Sequence, residues 1–89
     1  MARFEIPEVE RAMLGESRVE CDIFFALGMM YAAGSSVEID LVAAHKWFNL
    51  AAARGNADAI RLRREVAEQM CENDIAVAQR AARAWLTVH

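Results

Sequence analysis

A regular spacing of apolar residues between positions 41 and 54 is the feature that most limits what this chain can fold into. The apolar residues recur at intervals of three and four, at Ala44, Trp47, Phe48, Ala51 and Ala52. Such intervals place side chains along one side of an α-helix. Asp40 precedes the segment as a good N-cap, and Gly55 follows it as a helix terminator. The pattern therefore predicts a helix from Leu41 to Arg54 with one buried face.

Two more helices are predicted after Gly55 by the same signals. Asn56 can cap the first of them. Its apolar stripe consists of Ala59, Leu62, Val66 and Met70. The last helix begins near Asn73 or Asp74, and its apolar stripe consists of Ile75, Ala78, Ala82, Trp85 and Leu86. We expect both stripes to be buried.

The N-terminal part of the chain is predicted to form two helices separated near Gly15. The first begins at Pro7, because proline suits the first turn of a helix, and it ends at Gly15. The second begins at Ser17, which forms with Glu20 the S-x-x-E pattern of a capping box, and it runs to the neighbourhood of Gly34. With the helices downstream, the chain is predicted to contain about five helices.

The fold class follows from the missing strand pattern and from the chain length. No segment shows the sustained alternation of apolar and polar residues, rich in Val, Ile and Thr, that is typical of strands. The 89 residues are enough for one domain with one core. Connections of about two to six residues force neighbouring helices to pack antiparallel. We predict a single all-α domain of antiparallel helix hairpins.

The residues that could pack between paired helices match a known repeat pattern without gaps. The matching positions are Leu27, Gly28, Tyr31, Gly34, Val37, Asp40, Ala44, Trp47, Phe48, Ala51, Ala52, Gly55 and Ala59. The stretch from Cys21 to Ala59 thereby resembles the Sel-one-like repeat, a relative of the tetratricopeptide repeat. Some positions depart from the pattern: Cys21 and Ile23 replace small alanines, and Ser36 replaces a second loop glycine.

The resemblance implies both a fold and a function. It implies helix hairpins stacked as a short, tetratricopeptide-like α/α solenoid, in which the first helix of each hairpin lines a concave face. One complete repeat would span residues 21–56, preceded by an N-terminal segment with a short helix at 1–20 and followed by a capping helix pair at 57–89. The implied function is that of an adaptor or scaffold that binds a protein segment on the concave face.

The segment from Ile23 to Tyr31 is unusual because it would be apolar on every side of a helix. Such a helix is either buried or awaits a partner. In one interpretation the first helix covers it, since small domains seldom expose large apolar patches. In the other, Phe24 and neighbouring Met29 or Met30 form a groove for a peptide or for a second copy of the chain. We therefore predict binding to another protein or peptide, with a homodimer through this helix as the alternative.

The glycine inside this segment, Gly28, costs about 1 kcal/mol relative to alanine in a helix. Its presence suggests that the backbone of a partner helix passes close by. We expect the small residues Ala44, Ala51 and Ala52 to serve the same close approach.

Charge and hydropathy limit the classes of partner. The net charge of −3 gives no field that would recruit nucleic acid or anionic lipid. Arg54, Arg61, Arg63 and Arg64 could form a basic patch, but two glutamates on the same helix favour a solvated face. No uncharged run is long enough to span a membrane, and no secretory signal is visible in the first nine residues. We expect no nucleic-acid or membrane partner and a cytoplasmic location.

No motif in the sequence assembles a catalytic or metal site. Cys21 and Cys71 are expected to be reduced thiols, because they form no CxxC motif and no Cys/His cluster. His45 is expected at the edge of the apolar stripe and lacks a second His or Cys three or four residues away. Cys71 with His45 or His89 as base is a remote enzymatic alternative without a feature that lowers the thiol pKa. We expect no cofactor, no metal and no enzyme activity.

Overall fold

Four helices make up the computed structural model, which describes residues 8–88, with side chains described for 19–88. They are α1 (Glu8–Ala33), α2 (Leu41–Ala53), α3 (Ala57–Ala67) and α4 (Glu72–Val88). Residues 8–88 contain no strand, so the predicted all-α fold class is confirmed for this part of the chain. Two residues that figured in the sequence predictions, Pro7 and His89, lie outside the described residues.

The predicted break between two N-terminal helices is wrong, and four helices replace the five expected. α1 is one helix of 26 residues and passes through Gly15 and Ser17 without interruption. A glycine inside a helix costs only about 1 kcal/mol, whereas ending one helix and nucleating another leaves several backbone groups without partners. The backbone of Ser17 is helical, so the non-helical N-cap that a capping box requires is absent. The boundary predicted at residue 20 falls inside α1.

Short polar side chains begin α2 and α3, as predicted. Asp40 has an extended backbone (φ −143°, ψ 97°), and its Oδ1 accepts a hydrogen bond from the Ala43 N–H at 3.0 Å. Asn56 Oδ1 accepts from the Ala59 N–H at 2.9 Å. Gly55 ends the preceding helix with a φ of 104°, a left-handed backbone that favours glycine. Local sequence signals therefore determine both ends of the α2–α3 connection.

α1 and α2 form an antiparallel hairpin. At the start of α2, the Asp40 N–H donates to the Tyr31 carbonyl oxygen at 3.1 Å. At its end, Arg54 Nε lies 3.2 Å from Glu20 Oε1. Because these contacts occur in opposite order along the two helices, the helices run in opposite directions. α2 also packs against α3 and α4, which makes it the central helix.

The core is built around α2. Phe48 and Leu50 have the largest fully buried side chains. Small residues complete the helix contacts, and four have no exposed surface: Ala44, Ala51, Ala59 and Ala78. The predicted stripes of α2 and α3 are buried or partly buried, but Met70 lies beyond the end of α3. Leu50, on the other side of α2, was not in the predicted stripe. In α4 the stripe is correct except at Leu86, which is 41% exposed.

Gly28 marks a close approach of α1 to α2. A Cβ atom at Gly28 would lie 2.5 Å from two ring carbons of Phe48, much closer than carbon atoms in van der Waals contact. The close approach expected at Gly28 is therefore confirmed. Its neighbour is the ring of Phe48, however, and not the helix backbone that the sequence suggested.

Candidate interaction surface

The residues of α1 from Val19 onward fall on three sides of the helix, since successive residues are about 100° apart. The inner face, Cys21, Phe24 and Gly28, is buried. The groove face, Phe25, Met29 and Ala32, borders a groove shared with α3. The outer face, Val19, Ile23, Ala26 and Met30, is exposed or partly exposed. The three faces of this apolar segment therefore border the core, a groove and an exposed surface.

The three residues predicted to form one binding groove lie on three different faces of α1. Phe24 is 4% exposed, stacked on Trp47 at 5.6 Å and edge-on to Trp85 at 5.1 Å. Met29 is 44% exposed on the groove face, and Met30 is partly buried on the outer face. The groove expected at Phe24 is therefore closed, and its cover comes from α2 and α4. Met29 lies on an accessible surface, where a partner could contact it.

The residues of the repeat signature serve mainly as packing contacts. The buried members are Gly28, Ala44, Phe48, Ala51 and Ala59. The partly buried members are Leu27, Tyr31, Gly34, Val37, Trp47 and Ala52. Asp40 and Gly55 are exposed and form the cap and the turn described above. Some of them also line the two concave surfaces described next: Phe48 lines one, and Tyr31, Val37 and Asp40 line the other.

A groove between α1 and α3 is a concave surface lined mainly by apolar side chains. It has a volume of about 210 Å³ and is lined by Met29, Ala32, Ala33, Phe48, Leu62, Glu65, Val66 and Gln69. Phe48 and Val66 are buried at its base. Small-molecule sites usually enclose roughly 300–1,000 Å³, so this groove suits one or two apolar side chains better than a free ligand.

Glu65 is the charged residue among those that line the groove. Arg61 lies 3.7 Å from Asp58 and 3.4 Å from Glu65, so one guanidinium faces two carboxylates. All three side chains are well exposed, and such ion pairs contribute little to stability. No lysine or arginine occurs between Val19 and His45 or between Glu65 and Gln79. The groove therefore has no basic residue from α1, and the Glu65 carboxylate at its rim lies beside the Arg61 guanidinium.

A second, more polar crevice lies where the α1–α2 connection meets the start of α4. It has a volume of about 470 Å³ and is lined by Tyr31, Val37, Glu38, Ile39, Asp40, Leu41, Val42 and Asp74. Three of these side chains are carboxylates, and Asp40 already caps α2. No group of His, Cys, Asp and Glu within the described residues is arranged to hold a metal ion. The crevice gives the molecule an acidic end.

His45 is buried, which corrects its expected position at the edge of the α2 stripe. It is 3% exposed, and its Nδ1 has no hydrogen-bond partner among the described residues. Burial lowers the pKa of His45 below its ordinary value, and the positive charge of Arg63 lowers the pKa further. The neutral imidazole is therefore part of the α2 packing.

We expect protonation of His45 to destabilise the fold below about pH 6.5. A pKa that is lower in the folded chain means that the stabilisation is complete above the unfolded value of 6.5 and is lost as the pH falls toward the folded value. The His45→Gln variant lacks this titration, so its free energy of unfolding should decrease less between about pH 7.5 and about pH 5.5. Urea denaturation measures both proteins, and equal pH dependence would contradict the assignment.

The other candidates for chemistry differ in burial. Cys71 is exposed in the α3–α4 connection, whereas His45 is buried in α2. Cys21 is buried, and its thiol lies 3.7 Å from the Ala51 carbonyl oxygen, which it can donate to. Within residues 19–88, neither thiol is hydrogen-bonded to His45 Nδ1.

The arginines predicted as a possible basic patch are largely engaged within the chain. Arg54 pairs with Glu20, and Arg61 pairs with carboxylates on its own helix. Arg63 Nη1 donates to Asn49 Oδ1 at 2.7 Å. Arg64 is exposed. The arrangement is that of a solvated helix surface with local charge pairs.

Comparisons with known proteins do not assign a function to this surface. No protein-family model, curated protein or solved structure matches the chain. Across the described residues, none of the helices combines the length and the hydropathy needed to cross a lipid bilayer. The candidate function therefore depends on the geometry and chemistry given above.

Proposed function

We propose that this chain is a protein-interaction module that receives an apolar segment of another protein in the groove between α1 and α3. The observation that carries the proposal is the position of Met29, which is 44% exposed above a base formed by Phe48 and Val66. Methionine side chains adapt to partners of different shape. Helix pairs that border such grooves bind amphipathic segments in many protein complexes.

The loop conformations also support a stacked-hairpin architecture of the Sel-one-like type. In this proposal, α1 and α2 form the hairpin of a short α/α solenoid, α3 and α4, which both pack against α2, cap it, and α1 and α3 line its concave face. Gly34 and Gly55 have positive φ, as the loop glycines of the repeat pattern would. Ser36 stands in place of the second loop glycine and still has a φ of 68°. The module would act as an adaptor or scaffold.

The charges around the groove favour one kind of partner. Glu65 is the charged residue in the groove lining, and α1 carries no lysine or arginine from Val19 to its end. A carboxylate at the rim attracts positive charge and speeds the encounter with it. We therefore expect the partner segment to carry bulky apolar side chains flanked by lysine or arginine.

We expect a charge placed at Met29 to abolish peptide binding without unfolding the chain. Peptides selected from a displayed random library on the full chain should contain large apolar residues near Lys or Arg. Their affinity for the Met29→Glu variant should fall at least about tenfold, which corresponds to about 1.4 kcal/mol. Fluorescence anisotropy with labelled peptides measures this change.

The matched control is Val77→Glu, because Val77 on α4 is 42% exposed and Met29 is 44% exposed. Both variants add the same charge at a similar accessibility, and only Met29 borders the groove. Peptides should bind Val77→Glu as tightly as they bind the parent chain. If the library gave no peptide that distinguishes the two variants, the groove would not be the binding surface.

A further inference from the structure

The α3 wall of the groove depends on α2 for its position. α2 is the helix that α3 packs against, and α1 and α3 pack mainly on α2 and little on each other. Two residues of α3 are buried, Ala59 and Val66, whereas five residues of α2 are buried. A helix of 11 residues is marginal in water without packing. Whatever loosens the contact between α2 and α3 therefore removes one side of the groove.

A polar cluster of His45, Asn49 and Arg63 joins α2 to α3 beside the base of the groove. Arg63 Nη1 on α3 donates to Asn49 Oδ1 on α2 at 2.7 Å. His45 lies one turn before Asn49 on the same side of α2, and Phe48 at the groove base lies between them in the sequence. His45 is 3% exposed, and its Nδ1 has no hydrogen-bond partner among the described residues. The contact between α2 and α3 thus contains a buried imidazole near a cation.

We propose that His45 makes the groove acid-sensitive: when its imidazole is protonated, α3 separates from α2 and the groove loses one wall. This inference rests on the proposed function, because it concerns the regulation of the same groove. It goes beyond the loss of stability in acid described above, since it places the opening in α3 and links that opening to binding.

A protonated His45 has no compensating partner in the closed structure. Imidazolium carries a proton on each nitrogen, so Nδ1 becomes a buried donor without an acceptor, which is costly. Burial lowers the pKa of His45, and the positive charge of Arg63 lowers the pKa further. No nearby carboxylate of the described residues raises that pKa. The other cation next to His45 on α2, Lys46, lies over the Trp47 ring at 4.4 Å from its centroid.

The helices packed against α2 offer no carboxylate to take the place of this partner. On α1, Glu20 is paired with Arg54. On α3, Asp58 and Glu65 are exposed and lie beside Arg61. The remaining charged residues of α1, α3 and α4 that the structure describes are exposed, apart from Arg63: Asp22, Arg64, Glu72, Asp74, Arg80 and Arg83. Release of α3 therefore lets a charged His45 reach water and moves Arg63 away from it.

Hydrogen exchange of the full chain at about pH 7.5 and about pH 5.5 tests where the chain opens. At both pH values, the amides of α3 should be at least about tenfold less protected than those of residues 24–31 in α1. In the parent chain, protection of α3 should fall in acid by about threefold to tenfold, the limit for one group with an ordinary pKa of 6.5. In His45→Gln it should change by less than about twofold. Equal protection of α3 and α1 would overturn the proposal, because α3 would then open only with the whole fold.

Arg63→Gln is a second variant, which keeps the test decisive if His45→Gln does not fold. Removing the positive charge raises the pKa of His45, so acid should lower the protection of α3 less than in the parent chain. The matched control is Arg64→Gln, which removes the same charge from an exposed position on α3 and should keep the parent's acid dependence. The same acid dependence in both variants would contradict the role of the polar cluster.

Peptide binding at the two pH values separates this proposal from the proposed function. At about pH 5.5 the selected peptides should bind the parent chain about twofold to tenfold more weakly than at about pH 7.5. Their affinity for His45→Gln should stay the same, because position 45 then has no titration. Equal affinity of the parent chain at both pH values would overturn acid sensitivity of the groove. If no peptide distinguishes Met29→Glu from Val77→Glu, the proposed function fails, and hydrogen exchange still decides whether acid opens α3.

Discussion

Replacing Phe24 with aspartate is expected to unfold the chain at 25 °C. Phe24 is 4% exposed and packs against Trp47 and Trp85. Removing a buried aromatic ring costs about 3–5 kcal/mol, and leaving a buried carboxylate without a partner adds several more. Small domains have only about 5–15 kcal/mol of stability in total. Far-ultraviolet circular dichroism of the purified variant measures the loss of helix.

Ile23→Asp is the control for this experiment, because Ile23 is the preceding residue in the same helix and is 52% exposed. It introduces the same charge and should retain the helical spectrum and a cooperative unfolding transition. A folded Phe24→Asp protein would show that the ring at position 24 faces solvent. That outcome would support the binding groove at Phe24 that the sequence suggested.

Replacing Phe48 with alanine is expected to lower the free energy of unfolding by about 3–5 kcal/mol. Phe48 is 1% exposed, its ring lies against the backbone of Gly28, and it is tilted 55° to the ring of Phe25 at 5.8 Å. Deleting the ring leaves a cavity that a helix backbone held at Gly28 cannot collapse to fill. Urea denaturation measures the change.

Leu86→Ala serves as the comparison for Phe48→Ala, because Leu86 is also a large apolar residue and is 41% exposed. Leu86→Ala should lower the free energy of unfolding much less than Phe48→Ala does, since surface substitutions usually change stability by about 0.5 kcal/mol or less. If the two variants unfolded at similar urea concentrations, Phe48 would not be the centre of the core.

The parts of the fold that depend on neighbouring residues could be predicted from the sequence. Asp40 and Asn56 are caps because their short side chains reach a backbone N–H three residues later. The stripe of α3 was identified because that helix has one apolar side and a polar remainder. The α2 stripe omitted Leu50 and His45, which are buried because α2 packs against three helices.

The errors in α1 have two physical causes. Gly15 and Ser17 carry the local signals of a helix end and a helix start, but neither signal outweighs the backbone hydrogen bonds of a continuous helix. Further along, Phe24, Met29 and Met30 were assigned to one groove although they lie about 100° or more apart around the axis. Because the segment is apolar on all sides, its composition did not indicate which face packs inward.

One signal in the sequence could have located the inner face. Gly28 was expected at a close contact between helices, and Phe24 lies one turn before it on the same side of the helix. Taking Gly28 as the centre of the packed face would have assigned Phe24 to the core. Val19 and Ile23 would then lie on the opposite, exposed side.

The central claim is that α1 has one packed face and two accessible apolar faces, and thiol labelling tests it most directly. The probes are native Cys21 on the inner face, Ile23→Cys on the outer face and Met29→Cys on the groove face, each with Cys71→Ser. In dilute solution, Ile23→Cys and Met29→Cys should react nearly as fast as unfolded chain, while Cys21 should react only when the fold opens. Equal labelling rates at Cys21 and Met29→Cys would contradict the account.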